Sequence, residues 1–178
     1  PSLKVEVHEG DSLSIADVDA PKQITGYTVE WDLAGVDLTN ITESLVVYAK
    51  MTANEYTITY DLGYRGAVNG NNPATYNVEE SFSFVNATYD EYHTFAGWYL
   101  EENFVNEKSS VSVGESGAIT LYAKWNFSGT YISTVSELQS MAYNMVGVYE
   151  LKNDIDLTNV SWTAIGDSTN PFTGYFNG

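Results

Sequence analysis

The chain has 178 residues, and 24 acidic against 7 basic side chains leave a formal net charge of -17. This charge opposes contact with a phosphate backbone, which binds Lys and Arg, so we expect neither nucleic acid nor an anionic membrane as a partner. The chain has no cysteine, which excludes disulfides, thiolate zinc sites and cysteine nucleophiles. No apolar run approaches the ~20 residues that span a bilayer, so we expect no membrane insertion.

Two parts of the chain follow the same pattern, in which a segment ending in Trp is followed downstream by Tyr-Ala-Lys. The pattern occupies residues 26–31 with 45–51, and it recurs at 93–98 with 119–125. The residues around each Tyr-Ala-Lys are β-branched or alternate in polarity, which predicts strands. The chain is therefore predicted to contain an internal repeat of small β modules.

The second copy also has an opening strand that the first copy lacks. Tyr, Ile and Tyr alternate with Thr from residue 56, which predicts a half-buried strand over 56–63, and the Gly and Asn residues of 63–72 predict a long turn. We therefore expect 54–126 to be a complete repeat and 1–53 to be a partial repeat module lacking its first strand. Residue 1 is then expected to be a cleavage or fragment boundary.

The last segment, 127–178, has a different character. Thr134 and Glu137 have the spacing of a capping box, and the apolar residues that follow recur at helical spacing until Gly147. Val148 to Leu151 then predicts a short strand. Each of the three segments carries net negative charge, which is typical of a solvated surface.

The central segment combines four motifs: the opening strand at 56–63, Tyr76-Asn77-Val78, the segment from His93 to Trp98, and Leu121-Tyr122-Ala123-Lys124-Trp125. In this combination it resembles the Listeria–Bacteroides repeat, also called the internalin B-repeat. This resemblance implies a mainly β (α+β) fold of tandem small β-grasp-like (ubiquitin-like) modules, found in extracellular proteins of bacteria and without catalytic activity.

The last segment contains residues 151–157, Trp162 and the Gly-containing segment 172–178 in that order. With these residues, 127–178 resembles the truncated start of a β-helix module of the GLUG type. It implies a partial helix-plus-strand module. An unfinished β-helix leaves a strand edge exposed, which favours self-association with another copy of the chain.

The four tryptophans allow two interpretations. An exposed Trp ring can stack on a sugar, whereas a buried ring fills the core of a small module. We expect the core role for Trp31, Trp98 and Trp125, which occupy repeat positions, and leave both roles open for Trp162.

Acidic residues and histidine offer further candidates for chemistry. Asp154 and Asp156 could supply oxygen ligands to calcium, but their alternation with Ile155 and Leu157 favours a strand with one solvated face. Adjacent acids at 79–80 and 101–102 would point to opposite faces of a strand, so we expect them to be solvated. His93 lies inside the repeat pattern, which favours a packing role.

No nucleophile elbow, phosphate-binding loop or zinc-binding helix motif is present in the sequence. We therefore predict no catalytic, cofactor-binding or metal-binding residues. The function that we expect is a non-enzymatic spacer or adhesion segment of a multi-modular bacterial cell-surface or secreted protein. The alternative is a carbohydrate-binding accessory segment of an extracellular glycan-active enzyme. A host protein, a matrix protein or a glycan remains open as the partner.

Overall fold

The computed structural model describes residues 6–178, which are mainly β with one short α-helix, as the sequence predicts. Each of the predicted opening, Trp-containing and Tyr-Ala-Lys segments contains a strand, although the opening strand ends at Asp61 rather than at residue 63. In chain order the strands are β1 (Tyr27–Asp32), β2 (Tyr48–Ala53), β3 (Tyr56–Asp61), β4 (Thr75–Tyr76), β5 (Phe82–Ser83), β6 (His93–Tyr99), β7 (Ser110–Val111), β8 (Ile119–Phe127), β9 (Thr130–Ile132), β10 (Val148–Leu151) and β11 (Tyr175–Asn177), and the helix is α1 (Val135–Ser140).

The strands form four small sheets in the described part of the chain. A two-stranded sheet contains β1 and β2, and a second pair is formed by β5 and β7. The largest sheet has the order β4-β3-β8-β6, so the closing strand β8 lies between the opening strand β3 and the Trp-containing strand β6. The fourth sheet has the order β11-β10-β9, and both of its pairings are parallel.

The chain divides into two compact units. Of the described residues, the first unit holds those up to Thr59 together with Asn72–Phe84 and Ser109–Leu121. The second unit holds Tyr60–Asn71, Val85–Lys108 and Tyr122–Gly178. Both units therefore contain residues of the segment 54–126.

Strands β1 and β2 pair as β6 and β8 do. Both pairs are antiparallel, and the Trp of each first strand lies opposite the Ala of Tyr-Ala-Lys: Trp31 opposite Ala49, and Trp98 opposite Ala123. Each Lys lies opposite the residue before the Trp. The repeated sequence pattern therefore corresponds to a repeated strand pairing.

A β-bulge distinguishes the two pairs and explains a departure in sequence. The register of β6 on β8 shifts between Phe95 and Gly97, and Gly97 has a φ of 132°. Residues other than glycine rarely adopt that backbone conformation. The register of β1 is continuous, so Glu30 occupies the same position without the strain that Gly97 avoids.

The core of the first unit is formed by alternating strand residues and by close backbone packing. The β3 residue Ile58 is buried between exposed neighbours, as the period of two predicts. The buried Tyr76 donates a hydrogen bond from its hydroxyl to the Gly117 carbonyl at 2.7 Å. A Cβ atom at Gly26, where φ is 85°, would lie 2.1 Å from a methyl carbon of Val78, so only glycine fits this approach.

Residues 127–178 form a helix and parallel strands around a separate apolar cluster. The predicted capping box is confirmed, because Thr134 accepts a hydrogen bond from the Glu137 amide and Glu137 accepts one from the Thr134 amide. The helix is shorter than predicted: α1 ends at Ser140 and one 3-10 turn, Met141–Tyr143, follows. The cluster centres on the buried residues Ile132, Met141 and Tyr149.

The described helices are far too short for a membrane span. Among residues 6–178, no helix combines the length and the apolar character that crossing a bilayer requires.

Candidate functional site

The most elaborate polar arrangement in the described residues surrounds His93, the first residue of β6. Its side chain is fully buried, and both ring nitrogens lie within hydrogen-bond distance of a carboxylate. Nδ1 is 2.6 Å from an oxygen of Asp90, and Nε2 is 2.7 Å from an oxygen of Glu150. We call the residues Asp90, His93 and Glu150, with the tyrosines that bind them, the histidine network.

The geometry fixes the number of protons that the two contacts need. A neutral imidazole carries one N–H, so it can donate to only one carboxylate. Two short contacts require either an imidazolium between two carboxylates or a neutral ring with one protonated carboxyl group. Either arrangement contains a hydrogen bond assisted by charge, and burial strengthens such a bond.

Asp90 is held in place by the turn that leads into β6. Its Oδ1 atom also accepts a hydrogen bond from the Tyr92 amide at 2.9 Å, and its Oδ2 atom accepts one from the Tyr175 hydroxyl at 2.5 Å. Burial raises the pKa of Asp90, but the hydrogen bonds from Tyr175, His93 and the Tyr92 amide outweigh that effect and lower its pKa overall. Asp90 is therefore held in its ionised form.

Glu150 lies in the middle of the central strand β10 and is buried. Its Oε1 atom accepts a hydrogen bond from the Tyr64 hydroxyl at 2.7 Å. Its Oε2 atom binds His93 and also accepts a hydrogen bond from the Asn177 side chain at 3.1 Å. Three segments that are distant in sequence therefore meet at one carboxylate.

The two tyrosine hydroxyls of the network are held neutral by their surroundings. Burial and the hydrogen bond to Glu150 raise the pKa of Tyr64. Burial and the hydrogen bond to Asp90 likewise raise the pKa of Tyr175. Both hydroxyls therefore remain donors across the physiological pH range.

Aromatic rings enclose the imidazole. Phe127 stacks on His93 with ring centres 4.9 Å apart, and Tyr64 and Tyr89 lie 4.6 and 5.1 Å away. The indole N–H of Trp125 donates to the Leu62 carbonyl at 2.9 Å, which fixes the loop that carries Tyr64. These rings shield the imidazole from water, so its hydrogen bonds form in a medium of lower polarity than water.

The histidine network uses the hydrogen-bonding capacity of its members in holding chain segments together. No buried side-chain nitrogen or oxygen atom in residues 6–178 lacks a hydrogen-bond partner. His93, Asp90 and Tyr64 come from the repeat region, whereas Glu150 and Tyr175 come from the parallel strands that follow it. The arrangement therefore fastens β10 and β11 to the turn and strand that carry Asp90 and His93.

The sequence predicts a packing role for His93 but indicates neither of its carboxylate partners. Glu150 lies 57 positions from His93, so no local pattern connects them. A signal for one partner was available: Asp90 stands two residues before an amide that it binds, in the Asp-x-Tyr sequence of a side-chain turn. The structure alone brings the network together.

The tryptophans occupy different environments. Trp98 is 3% exposed and donates its indole N–H to the Val85 carbonyl, so it is a core residue as predicted. Trp31 and Trp125 are half-buried, and each donates to a backbone carbonyl. Trp162 is 40% exposed.

Asp154 and Asp156, the candidate calcium ligands, do not lie on a strand, so the strand predicted for this segment is wrong. Residues 154–157 follow β10 as an irregular segment, and the half-buried Ile155 packs on the apolar cluster of 127–178. Asp156 accepts hydrogen bonds from the side chain and amide of Thr158, which lower its pKa. Asp154 lines a cavity of about 220 Å³ beside Glu150 and Asn177. Within residues 6–178, no three His, Cys, Asp or Glu side chains are grouped to hold a metal ion.

The paired acids at 79–80 and 101–102 also lie outside the strands, so the strand from which their exposure was predicted is absent. Glu79 accepts a hydrogen bond from the Tyr27 hydroxyl at 3.1 Å. Glu101 accepts two from Asn106, through its amide and its side chain. All of these bonds are at the surface, where they order short turns.

Comparison with known proteins finds a family match for the central segment. The chain is 29% identical over 100 residues to a protein named "Putative Gly-rich membrane protein" from Evansella cellulosilytica, an alignment that covers 55% of this chain and 11% of that protein. The chain thus spans only a small part of that relative's length. No solved structure matches the chain. Residues 56–124 match the family model of the Listeria-Bacteroides repeat domain, which confirms the predicted resemblance for that segment.

Proposed function

We propose that this chain is a non-enzymatic spacer segment of a multi-modular bacterial surface protein. The observation that carries the proposal is the histidine network, which fastens the strands after the repeat to the repeat's own Asp90 and His93. A spacer has to resist bending where one module follows another. A buried junction of directional hydrogen bonds supplies that stiffness, whereas a flexible linker does not.

The location outside the cell belongs to the same proposal. It is supported by the match of residues 56–124 to a repeat family typical of bacterial surface proteins and by the name of the relative, a membrane protein. An antibody raised against the folded chain should label intact cells of the source bacterium. Labelling that appears only after the cells are lysed would contradict the proposal.

The stiffness of the junction can be measured separately. Spin labels on the exposed residues Asn126 and Tyr143 should give a narrow distance distribution in the native chain. Glu150→Ala should broaden that distribution, because it removes the acceptor shared by Tyr64, His93 and Asn177. Glu102→Ala, at an exposed turn, is the matched control and should leave it unchanged.

The finer features of the fold are part of this proposal. A β-grasp-like arrangement of the repeat is supported by the neighbouring positions of its opening strand β3 and closing strand β8. A β-helix start at the C-terminal segment is supported by β9, β10 and β11, which follow one another in chain order as parallel neighbours. The division into modules at 1–53, 54–126 and 127–178 belongs to the same proposal and is supported by the separate apolar cluster that 127–178 forms around Ile132, Met141 and Tyr149.

Adhesion and sugar binding require separate tests. The exposed Trp162 leaves one tryptophan ring available to a glycan, whereas the ring of Trp98 is enclosed. A glycan array and a panel of immobilised matrix proteins, probed with native and heat-unfolded chain, would detect such partners. Binding that is specific to the native chain and lost in Trp162→Ala would favour the carbohydrate-binding alternative over a simple spacer.

A further inference from the structure

The strand β2 has one edge that is used and one that is open. The Asn54 amide donates to the Gly26 carbonyl at 2.9 Å, so residues 26 and 54 form a hydrogen-bonded pair of the antiparallel ladder. Such pairs alternate with pairs that are not hydrogen-bonded. With the register of β1 on β2, Ala49, Met51 and Ala53 therefore direct their backbone N–H and C=O groups away from β1.

An independent contact supports this alternation. Val29 lies opposite Met51, so its carbonyl should also point away from the partner strand. That carbonyl accepts a hydrogen bond from the Gln23 side chain at 3.1 Å, on the outer side of β1. The outer side of β1 is thus partly covered by the chain before it. Within residues 6–178, no strand pairs with the outer side of β2. We call the backbone groups of Ala49, Met51 and Ala53 the open edge.

The complete repeat shows what fills the corresponding edge. Its Tyr-Ala-Lys strand, β8, has β6 on one side and β3 on the other, whereas β2 has β1 alone. In the same repeat the rings of Tyr60 of β3 and Trp98 pack edge to face, with ring centres 5.2 Å apart. Trp31, at the same register position in β1, remains half-buried.

Side chains beside the open edge are exposed, and pairing with a further strand would cover them. Tyr48 is 73% exposed and Met51 is 47% exposed. The equivalent residues of the complete repeat, Tyr122 and Trp125, are half-buried. An exposed, unpaired strand edge with apolar neighbours is a template for a further strand.

We propose that the open edge of β2 binds an extended peptide strand with the alternation of β3, a Tyr-Thr-Ile-Thr-Tyr pattern without net negative charge. The pattern follows from β3, which occupies the equivalent edge of β8 and covers Trp98 with its second tyrosine. The charge follows from the chain itself, because a net charge of -17 repels an acidic strand or a second copy at low ionic strength.

The test uses the full chain and a synthetic peptide of residues 55–62 that carries Glu55→Lys and Asp61→Lys. The main measurement is residue-resolved amide exchange by NMR. The peptide should slow exchange at Ala49, Met51 and Ala53 and leave Lys50 and Thr52 unchanged, because the latter two already face β1. The peptide with Ile58→Pro is the control and should produce no protection.

Two variants of the chain separate backbone pairing from side-chain contact. Met51→Pro removes an N–H at the open edge but none that faces β1, so it should weaken peptide binding by about tenfold or more. Met51→Thr keeps the N–H and should change the affinity by less than roughly threefold. Circular dichroism of both variants would verify that they are folded.

Several results would overturn the proposal. These are absence of peptide binding to the native chain, protection without the alternating pattern, or equal binding by the Met51→Pro and Met51→Thr variants. Concentration-dependent dimerisation of the native chain in sedimentation, with the same alternating protection and no peptide present, would instead assign the edge to a second copy.

Discussion

The strand pairs β1–β2 and β6–β8 share the same pattern of opposite residues but differ in how far their side chains are buried. In both, the Trp of the first strand faces the Ala of Tyr-Ala-Lys across the ladder. Ala123 of β8 is 4% exposed and Tyr122 is half-buried, whereas the equivalent Ala49 and Tyr48 of β2 are both exposed. The difference shows that a local sequence pattern can determine strand pairing, while burial depends on which other strands are present.

The same holds for polar groups at one pair of equivalent positions, Tyr27 in β1 and His93 in β6. Val29 and Phe95 each lie opposite the residue that follows Tyr-Ala-Lys, and Tyr27 and His93 each stand two residues before them. Tyr27 donates one surface hydrogen bond to Glu79, at 3.1 Å. His93 is buried between two carboxylates, one of which belongs to a strand beyond the repeat. Equivalent strand positions thus become a surface contact in one pair and a junction in the other.

The largest difference between the two pairs should appear when each tryptophan is removed. Trp98→Ala leaves a cavity in a closed core and should lower the free energy of unfolding by about 3–5 kcal/mol. Trp31→Ala removes a half-buried ring and should cost about 1–2 kcal/mol. Urea unfolding followed by far-ultraviolet circular dichroism measures both. Equal costs would show that β1–β2 has a core as closed as that of β6–β8.

Glu150→Gln tests the junction. The change keeps the shape of the side chain but removes the charge that binds His93 and Tyr64, so we expect a loss of about 1–3 kcal/mol in the free energy of unfolding. The control is Glu30→Gln in β1, where the acid is exposed beside Lys50 and should contribute about 0–0.5 kcal/mol. The same urea titration applies. A Glu150→Gln chain as stable as the native one would show that the network has no net stabilising effect.

Acid should weaken the same junction through Asp90. Its pKa is lower in the folded chain than in the unfolded chain, so its stabilising contribution is present above the unfolded pKa and is lost as the pH falls through the folded value. Asp90→Asn should therefore destabilise the chain at pH 7 by about 1–2 kcal/mol, and this difference should shrink as the pH falls below the unfolded pKa. Asp11→Asn, at an exposed position, is the control. A pH-independent effect of Asp90→Asn would contradict the assigned role.

The sequence predicted the features that local chemistry determines. The alternation from Tyr56 identified β3, and Thr134 with Glu137 located the start of α1, because both depend on residues that are close in the chain. At 154–157 the alternating polarity also predicted a strand, and this prediction is wrong. There the Asp156 side chain accepts a hydrogen bond from the Thr158 amide and forms a turn. Alternating polarity does not exclude a turn when an Asp can bind a backbone amide two residues later.

The histidine network could not be predicted, for a different physical reason. His93 and Glu150 meet because β10 is positioned by parallel pairing with β9 and β11, and that pairing leaves no local pattern at Glu150. The sequence around Glu150 reads as an ordinary short strand, in which a charged residue is expected to be solvated. Long-range pairing buries this residue and makes His93 its partner.

The smallest effect that distinguishes the two pairs should come from the bulge in β6. Gly97 has a φ of 132°, and a Cβ atom there would lie 3.2 Å from the ring of Tyr99 and 3.3 Å from a carboxylate oxygen of Glu107. Gly97→Ala should therefore cost about 1–2 kcal/mol, mostly as backbone strain. Glu30 stands at the same position in β1, where no bulge forms, so Glu30→Ala should change stability by less than about 0.5 kcal/mol. The reverse change, Glu30→Gly, should itself destabilise β1, because glycine has no strain to relieve there and loses more entropy on folding. If Gly97→Ala were neutral, the bulge would be a consequence of packing against β8 rather than a backbone requirement that separates the two copies of the pattern.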